Sequence, residues 1–339
     1  MSGETGAVLI VGPSWVGDMV MAQSLFKLLK QRMPDSALDV LAPAWTAPLL
    51  ARMPEVRDVI AQPVGHGQLR LLGRYRLARD LRGRYQRAIV LPNSFKSALI
   101  PFWARIPLRS GYVGECRWGL LNDARRLDKA KLPMTVQRFV ALGLAREEAL
   151  PSALPQPKFT VTQAGVGAAL ARLGLTHKAP LLALCPGAEY GSAKRWPPEY
   201  FAEIARKKLA QGWSVWLFGS ENDKSITTHV RNVAGEQCVD LAGRTTLAEA
   251  IDLLSLADLV VSNDSGLMHV AAALDRKLVA IYGSSDPGFT PPLSDRATVL
   301  SLRLPCSPCF KRECPLGHTN CLRELKPDQV LKTIEPCAS

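Results

Sequence analysis

Short runs of apolar residues alternate with longer amphipathic stretches along most of this chain. The runs at 8–11, 38–41 and 88–91 lie in the first half. Those at 181–185, 214–218, 239–241, 259–262, 278–282 and 298–302 lie in the second. They are short and rich in Val, Leu and Ile, so they read as strands covered on both faces, the pattern of a parallel sheet. Between them, apolar residues recur at helical spacing at 18–32, 198–211, about 223–233, 246–257, 266–274 and 327–334. An Arg-rich stretch around 70–87 reads as a further helix. Strands alternating with helices predict two Rossmann-like, doubly wound α/β domains. Pro151, Pro155, Pro157 and Pro180 punctuate 145–180, which reads as the linker between them, with some local structure of its own. The expected organisation is a domain at 1–160, a second at 175–325 with a Cys-rich segment at 306–321, and a closing helix in 326–339. Open α/β sheets bind ligands beyond the carboxyl ends of their strands, so the chemistry is expected in the loops just after them.

A length of 339 residues with 47% apolar composition suits two buried cores. The apolar stretch 253–261 is broken by Asp258 and falls far short of the roughly 20 residues of a spanning helix. The first residues lack a basic region followed by a long apolar one, so a cytoplasmic protein is expected. Charge sharpens the picture. The segment 64–126 holds thirteen Lys and Arg, including Arg70, Arg74 and Lys96, against three acids, a net +10 of the chain's +12. Such a field favours an anionic partner or simply solvates a helix.

Four motifs follow strands. Gly12-Pro13-Ser14-Trp15-Val16-Gly17-Asp18 lacks the Gly-Lys-Ser/Thr end of a P-loop and the GxGxxG fingerprint. Its Asp18, at a helix start, suits either a general base or a cap. Cys185 to Pro197 contains Gly187 and Gly191, where backbone can approach a ligand, and Lys194 and Arg195, which can carry a diphosphate. In Ser262-Asn263-Asp264-Ser265-Gly266-Leu267-Met268-His269, a strand end opens a helix. Free N–H groups at Ser265, Gly266 and Leu267 would face an anion there. Asp264 would meet a sugar hydroxyl or cap the helix, and His269 lies close by. The fourth, Cys306-x2-Cys309-x4-Cys314-x6-Cys321, suits a closed tetrahedral site holding structural zinc or iron, or else four reduced thiols.

Together these residues resemble the ADP-heptose:lipopolysaccharide heptosyltransferases, enzymes of the glycosyltransferase B fold with two domains facing a cleft. The similarity runs from about residue 7 to about 300. It includes Leu41-Ala42-Pro43-Ala44-Trp45, Leu91-Pro92-Asn93-Ser94-Phe95-Lys96-Ser97-Ala98-Leu99 and Phe289-Thr290-Pro291-Pro292-Leu293. The wording is nearer to members that extend an existing inner-core heptose than to those that add the first. The resemblance implies inverting transfer from ADP-L-glycero-D-manno-heptose to heptosyl-Kdo2-lipid A, at the cytoplasmic face of the inner membrane. It implies Asp18 as the base. Lys194 and the Ser265–Gly266 helix start would hold the diphosphate, with Asp264, Leu267 and His269 beside them. The acceptor is expected on the first domain, near Trp15, Arg70, Arg74 and Lys96. No Asp-x-Asp motif occurs, so no catalytic metal cofactor is expected. A heptosyltransferase taking another acceptor, lipid or protein, is the near alternative. An NAD(P) oxidoreductase is opposed by the missing GxGxxG. A nucleic-acid partner is not expected, because the basic stretch lacks a recognition module.

Overall fold

The computed structural model describes residues 6–62 and 70–334; Cys337 lies outside them. The chain divides into two compact units, Met1–Pro157 and Lys158–Ser339.

The first unit runs β1 (Val8–Val11), α1 (Val16–Arg32), β2 (Leu38–Ala42), α2 (Ala47–Leu50), β3 (Asp58–Ala61), α3 (Leu71–Asp80), β4 (Arg87–Val90), α4 (Phe95–Trp103), β5 (Leu108–Tyr112), β6 (Asp123–Arg125) and α5 (Thr135–Gly143). Its six strands lie parallel in the order β3-β2-β1-β4-β5-β6. All four residues of β1 are buried, as befits the centre of the sheet. Helix α1 is buried even at Gln23 and Ser24, because α5 packs on it from outside. Gly143 meets Leu25 and Leu28 so closely that a Cβ there would clash. The carboxylate of Asp39, inside β2, is fully buried. It is tolerated because Arg57 at 2.5 Å and the Tyr85 hydroxyl at 2.6 Å both donate to it.

The second unit runs α6 (Gln163–Leu173), β7 (Leu181–Cys185), α7 (Pro198–Ala210), β8 (Ser214–Leu217), α8 (Lys224–Ala234), β9 (Cys238–Asp240), α9 (Leu247–Leu254), β10 (Leu259–Asn263), α10 (Gly266–Ala273), β11 (Lys277–Ile281), β12 (Ala297–Leu300), α11 (Asn320–Arg323) and α12 (Pro327–Ile334). The strand order is β12-β11-β10-β7-β8-β9, again parallel throughout. Counted within each unit, the two orders are identical. Each is the Rossmann arrangement, whose order reverses at β1/β4 in the first unit and at β7/β10 in the second. The core under β7, β8 and β10 includes Trp196, Phe201, Leu217 and Val261, and Val330, Leu331 and Ile334 of α12 complete it.

The stretch expected to be a linker is partly a helix. α6 is capped by the Thr162 hydroxyl, which accepts from Gly165 N at 3.1 Å, and ends at Gly174 in the left-handed region. It packs on α9.

Candidate active site

In the second unit the site is built where the sheet order reverses. Asn263, the last residue of β10, donates from Nδ2 to the Pro186 carbonyl at 2.6 Å. Its Oδ1 accepts from Trp196 N at 3.0 Å. One buried amide therefore ties down both ends of the loop after β7. Trp196 anchors that loop further: its ring is fully buried and its indole N–H donates to Leu325 O at 2.8 Å. Between these anchors, the single turn Ser192–Lys194 presents Lys194. The ammonium of Lys194 lies 2.5 Å from the Asp264 carboxylate and 5.1 Å from the centre of the Tyr190 ring. Asp264 also accepts from the Ser285 hydroxyl, just beyond β11. Arg195 turns the other way and donates to Ala188 O at 3.2 Å.

Helix α10 starts beside this ion pair. Its N-cap is Ser265, in extended conformation and without a capping side-chain bond, and the Ser265 hydroxyl faces Ser262 instead. The first-turn N–H groups at Ser265, Gly266 and Leu267 have no acceptor within the helix, and these residues are half-exposed. That is the geometry of an anion site. Asp264 caps nothing with its side chain; it holds Lys194 and Ser285. His269 is buried, and burial lowers its pKa to about 4 despite the opposing pull of Asp264. It is neutral near pH 7.

In the first unit the corresponding reversal lies between β1 and β4. The loop after β1 leads into α1, whose N-cap is Trp15, 44% exposed and with no side-chain cap bond. Asp18 sits in the first turn of α1, half-buried. It stands at the positive end of the helix without being the cap residue. The loop after β4 leads into α4, where Lys96 is half-exposed in the first turn. Arg70 and Arg74 do not share an exposed face. Arg70 is the exposed, left-handed N-cap of α3. Arg74 is 3% exposed, donates to the Lys96 carbonyl at 3.4 Å, and has its pKa lowered by burial. It supports the α3–α4 contact from inside, because its long side chain runs back against the neighbouring helix.

The four cysteines line one pocket, with His318, Ser284 and Ala193 beside them. Burial raises the Cys321 thiol, and the Cys306, Cys309 and Cys314 sulfurs raise it further. The four sulfurs are close neighbours, yet among the described residues no three Cys, His, Asp or Glu side chains stand close enough to hold a metal as placed.

The model of glycosyltransferase family 9 (heptosyltransferase) matches residues 74–320. The chain belongs to this family. It is 47% identical to lipopolysaccharide heptosyltransferase 2 of Salmonella typhimurium, over 98% of each chain. The Escherichia coli protein of the same name is 45% identical over 96% of this chain and 97% of its own. The solved structure of E. coli ADP-heptose lps heptosyltransferase II superposes with a TM-score of 0.86 at 42% identity, over 97% of each chain.

Three residues of this heptosyltransferase escaped the sequence reading. Asn263 belongs to the Ser262–His269 motif, but its tie to Pro186 and Trp196 joins residues far apart in sequence. Asp223, in the loop after β8, is buried, and its Oδ2 accepts from Ser220 N and Oγ at 2.9 and 2.7 Å. Its buried Oδ1 has no hydrogen-bond partner. Gly187 and Gly219 press against it so tightly that neither has room for a side chain. Its sequence signal was an acid in a Gly-Ser loop after the unit's second strand, the position from which dinucleotide folds reach a ribose. The third is Arg117, 1% exposed although it counts among the thirteen cations. It donates to Pro92 O at 2.6 Å, to Ser97 Oγ at 3.1 Å and to the Tyr112 carbonyl. Burial lowers its pKa to about 10. It therefore fixes the loop that leads to Lys96.

Proposed function

We propose that this heptosyltransferase moves L-glycero-D-manno-heptose from ADP-heptose to the first heptose of the lipopolysaccharide inner core, with inversion. The observation that carries this reading is the Lys194–Asp264 pair set against the open start of α10, at the reversal point of the second sheet. Lys194 and the N–H groups of residues 265–267 stabilise the negative charge that gathers on ADP as it leaves. Asp223, in the loop after β8 and with its Oδ1 unpartnered, binds the ribose. In the first unit, Asp18 takes the proton from the acceptor hydroxyl. That oxygen forms the new bond to the anomeric carbon while the bond to the diphosphate breaks, and the electron pair departs with ADP. Positioned proton removal of this kind is worth roughly 10²–10⁴-fold. No metal is needed for these steps.

Among the described residues no helix is long and apolar enough to cross a membrane. A lipid-linked acceptor calls for contact with a surface instead. The exposed face of α3 carries Leu71, Leu72 and Tyr75 beside Arg76 and Arg79. Apolar side chains among cations suit the headgroup region of an anionic leaflet. On this reading the enzyme works peripherally, at the cytoplasmic face of the inner membrane.

The test is a transfer assay with ADP-heptose and two defined acceptors, heptosyl-Kdo2-lipid A and Kdo2-lipid A, with product read by mass. One added heptose on the first acceptor alone is expected. Transfer to Kdo2-lipid A alone would overturn the acceptor assignment and leave the donor site standing.

A further inference from the structure

Between Leu300, where β12 ends, and Asn320, where α11 begins, the chain has no regular secondary structure. Little apolar burial holds it: Phe310 and Leu316 are 47% and 61% exposed. Long irregular segments in compact domains are uncommon unless something else clamps them. Phe310 and Thr319 sit in the left-handed region, at φ 54° and 50°, so the segment is folded tightly on itself. Its Cys306, Cys309, Cys314 and Cys321 line one pocket, and none is in a disulfide. Cys314 Sγ accepts the Thr319 N–H at 3.4 Å, as a thiolate ligand does in a tight knuckle. His318 turns its Nδ1 to the Asn320 N–H at 3.0 Å.

The same segment grips both loops of the donor site. Ala193 N donates to Arg312 O at 3.0 Å, and the Tyr190 hydroxyl donates to Phe310 O at 2.8 Å. The Arg312 guanidinium stacks 5.4 Å from the Tyr190 ring, the ring that Lys194 also faces. Gly191 backs onto the Arg312 carbonyl with no room for a Cβ. On the other side, Phe310 N donates to Ser284 O at 2.7 Å, one residue before the Ser285 that holds Asp264.

We propose that the four cysteines bind one zinc ion, and that this clip positions the loop carrying Lys194. Four thiolates favour zinc or iron over magnesium or calcium, and a site closed by protein ligands is structural. The sulfurs share the pocket without yet meeting in coordination geometry, so binding requires them to turn inward. Cys306, Cys309, Cys314 and Cys321 are then ligands, and Lys194 is positioned through Ala193 and Tyr190.

The experiment uses the full chain purified under reducing conditions without chelators. Elemental analysis should give about one zinc per chain, released as four thiols are titrated with a mercurial. Cys306→Ser/Cys309→Ser should hold none, while Cys116→Ser, at an exposed cysteine outside the cluster, should keep it. Removing the ion should weaken ADP binding about tenfold by calorimetry and open the segment after Leu300 to protease, and added zinc should reverse both. Iron in its place, seen by its charge-transfer absorption, would keep the site and overturn the zinc assignment. A metal-free chain with four reactive thiols, or a disulfide within the segment, would overturn the site itself. Unchanged ADP affinity on metal removal would overturn the link to Lys194. That link rests on the donor reading above, whereas zinc content does not, so the two fail separately.

Discussion

The Lys194 ammonium and the Asp264 carboxylate meet at 2.5 Å in front of α10, with side chains 17% and 4% exposed. A bare carboxylate there would repel a diphosphate; the lysine cancels it and leaves the helix N–H groups to attract. Lys194→Ala should therefore do two things. It should raise the donor KM tenfold or more. It should also cost about 3 kcal/mol of stability, because Asp264 is left buried with Ser285 alone. Adding Asp264→Asn should restore most of the stability and none of the donor affinity. Urea unfolding and ADP calorimetry read the two effects separately. ADP binding at the native level in the double variant would remove Lys194 from the donor site.

Asp18 lies in the first turn of α1, three residues past the N-cap Trp15. As a charge at a positive helix end it is worth about 0.3–1 kcal/mol. As a base it is worth roughly 10²–10⁴-fold in rate. Asp18→Asn separates the roles, since the amide keeps the shape and takes no proton. Stability should fall by under about 1 kcal/mol, ADP binding should stay, and kcat should drop at least about a hundredfold. Retained turnover with lost stability would make Asp18 a structural residue only.

What could be read in the sequence follows from how local its causes are. The bounds of β1, β7 and α12 agree with their apolar runs, because those runs are buried throughout or strongly one-sided. β5 and β6 were missed because their residues, Leu-Arg-Ser-Gly-Tyr and Asp-Ala-Arg, are polar for sheet strands. They are held by long-range partners instead. Asp123 of β6 pairs with Arg146 at 3.1 Å, and Gly111 of β5 leaves space for Leu121. Lys194 and Ser265 lie in the loops after β7 and β10, where the rule that ligands sit beyond strand ends directs attention. Arg74 and Arg117 show the limit. Their charge is written in the sequence, but their burial depends on backbone carbonyls brought in from other elements.

His269 supplies a test by pH. Its folded pKa of about 4 lies below the ordinary value of 6.5. Between those values the unfolded chain binds a proton that the folded chain does not, so stability falls as pH drops through this window. From this group alone the loss at pH 5 relative to pH 8 should be about 2 kcal/mol. His269→Gln should reduce the difference in urea midpoint between pH 8 and pH 5 correspondingly. A His269 that titrates near 6.5 by NMR would show that it is not held neutral by burial.

The basic face calls for a test that respects burial. Removing Arg70, Arg74 and Lys96 together would mix three effects, because Arg74 is interior. Arg74→Ala should lower stability by roughly 1–3 kcal/mol, since the Lys96 carbonyl loses its donor and a packed side chain is lost. It carries no information about the acceptor. Lys96→Ala should raise the acceptor KM and leave the donor KM alone, whether the acceptor is soluble or in a membrane, because Lys96 stands beside the reversal point of the first sheet. Arg76 and Arg79 are exposed on α3 near Leu71 and Leu72, away from that loop in sequence. Each cation near an anionic surface is worth about 1 kcal/mol, so Arg76→Ser/Arg79→Ser should weaken binding to vesicles containing phosphatidylglycerol by about thirtyfold. Turnover of a short, detergent-free acceptor should be unchanged. Salt should weaken vesicle binding by the native protein and affect the double variant less. If the double variant bound such vesicles as the native protein does, α3 would be an ordinary solvated helix, and membrane contact would have to be sought on another face.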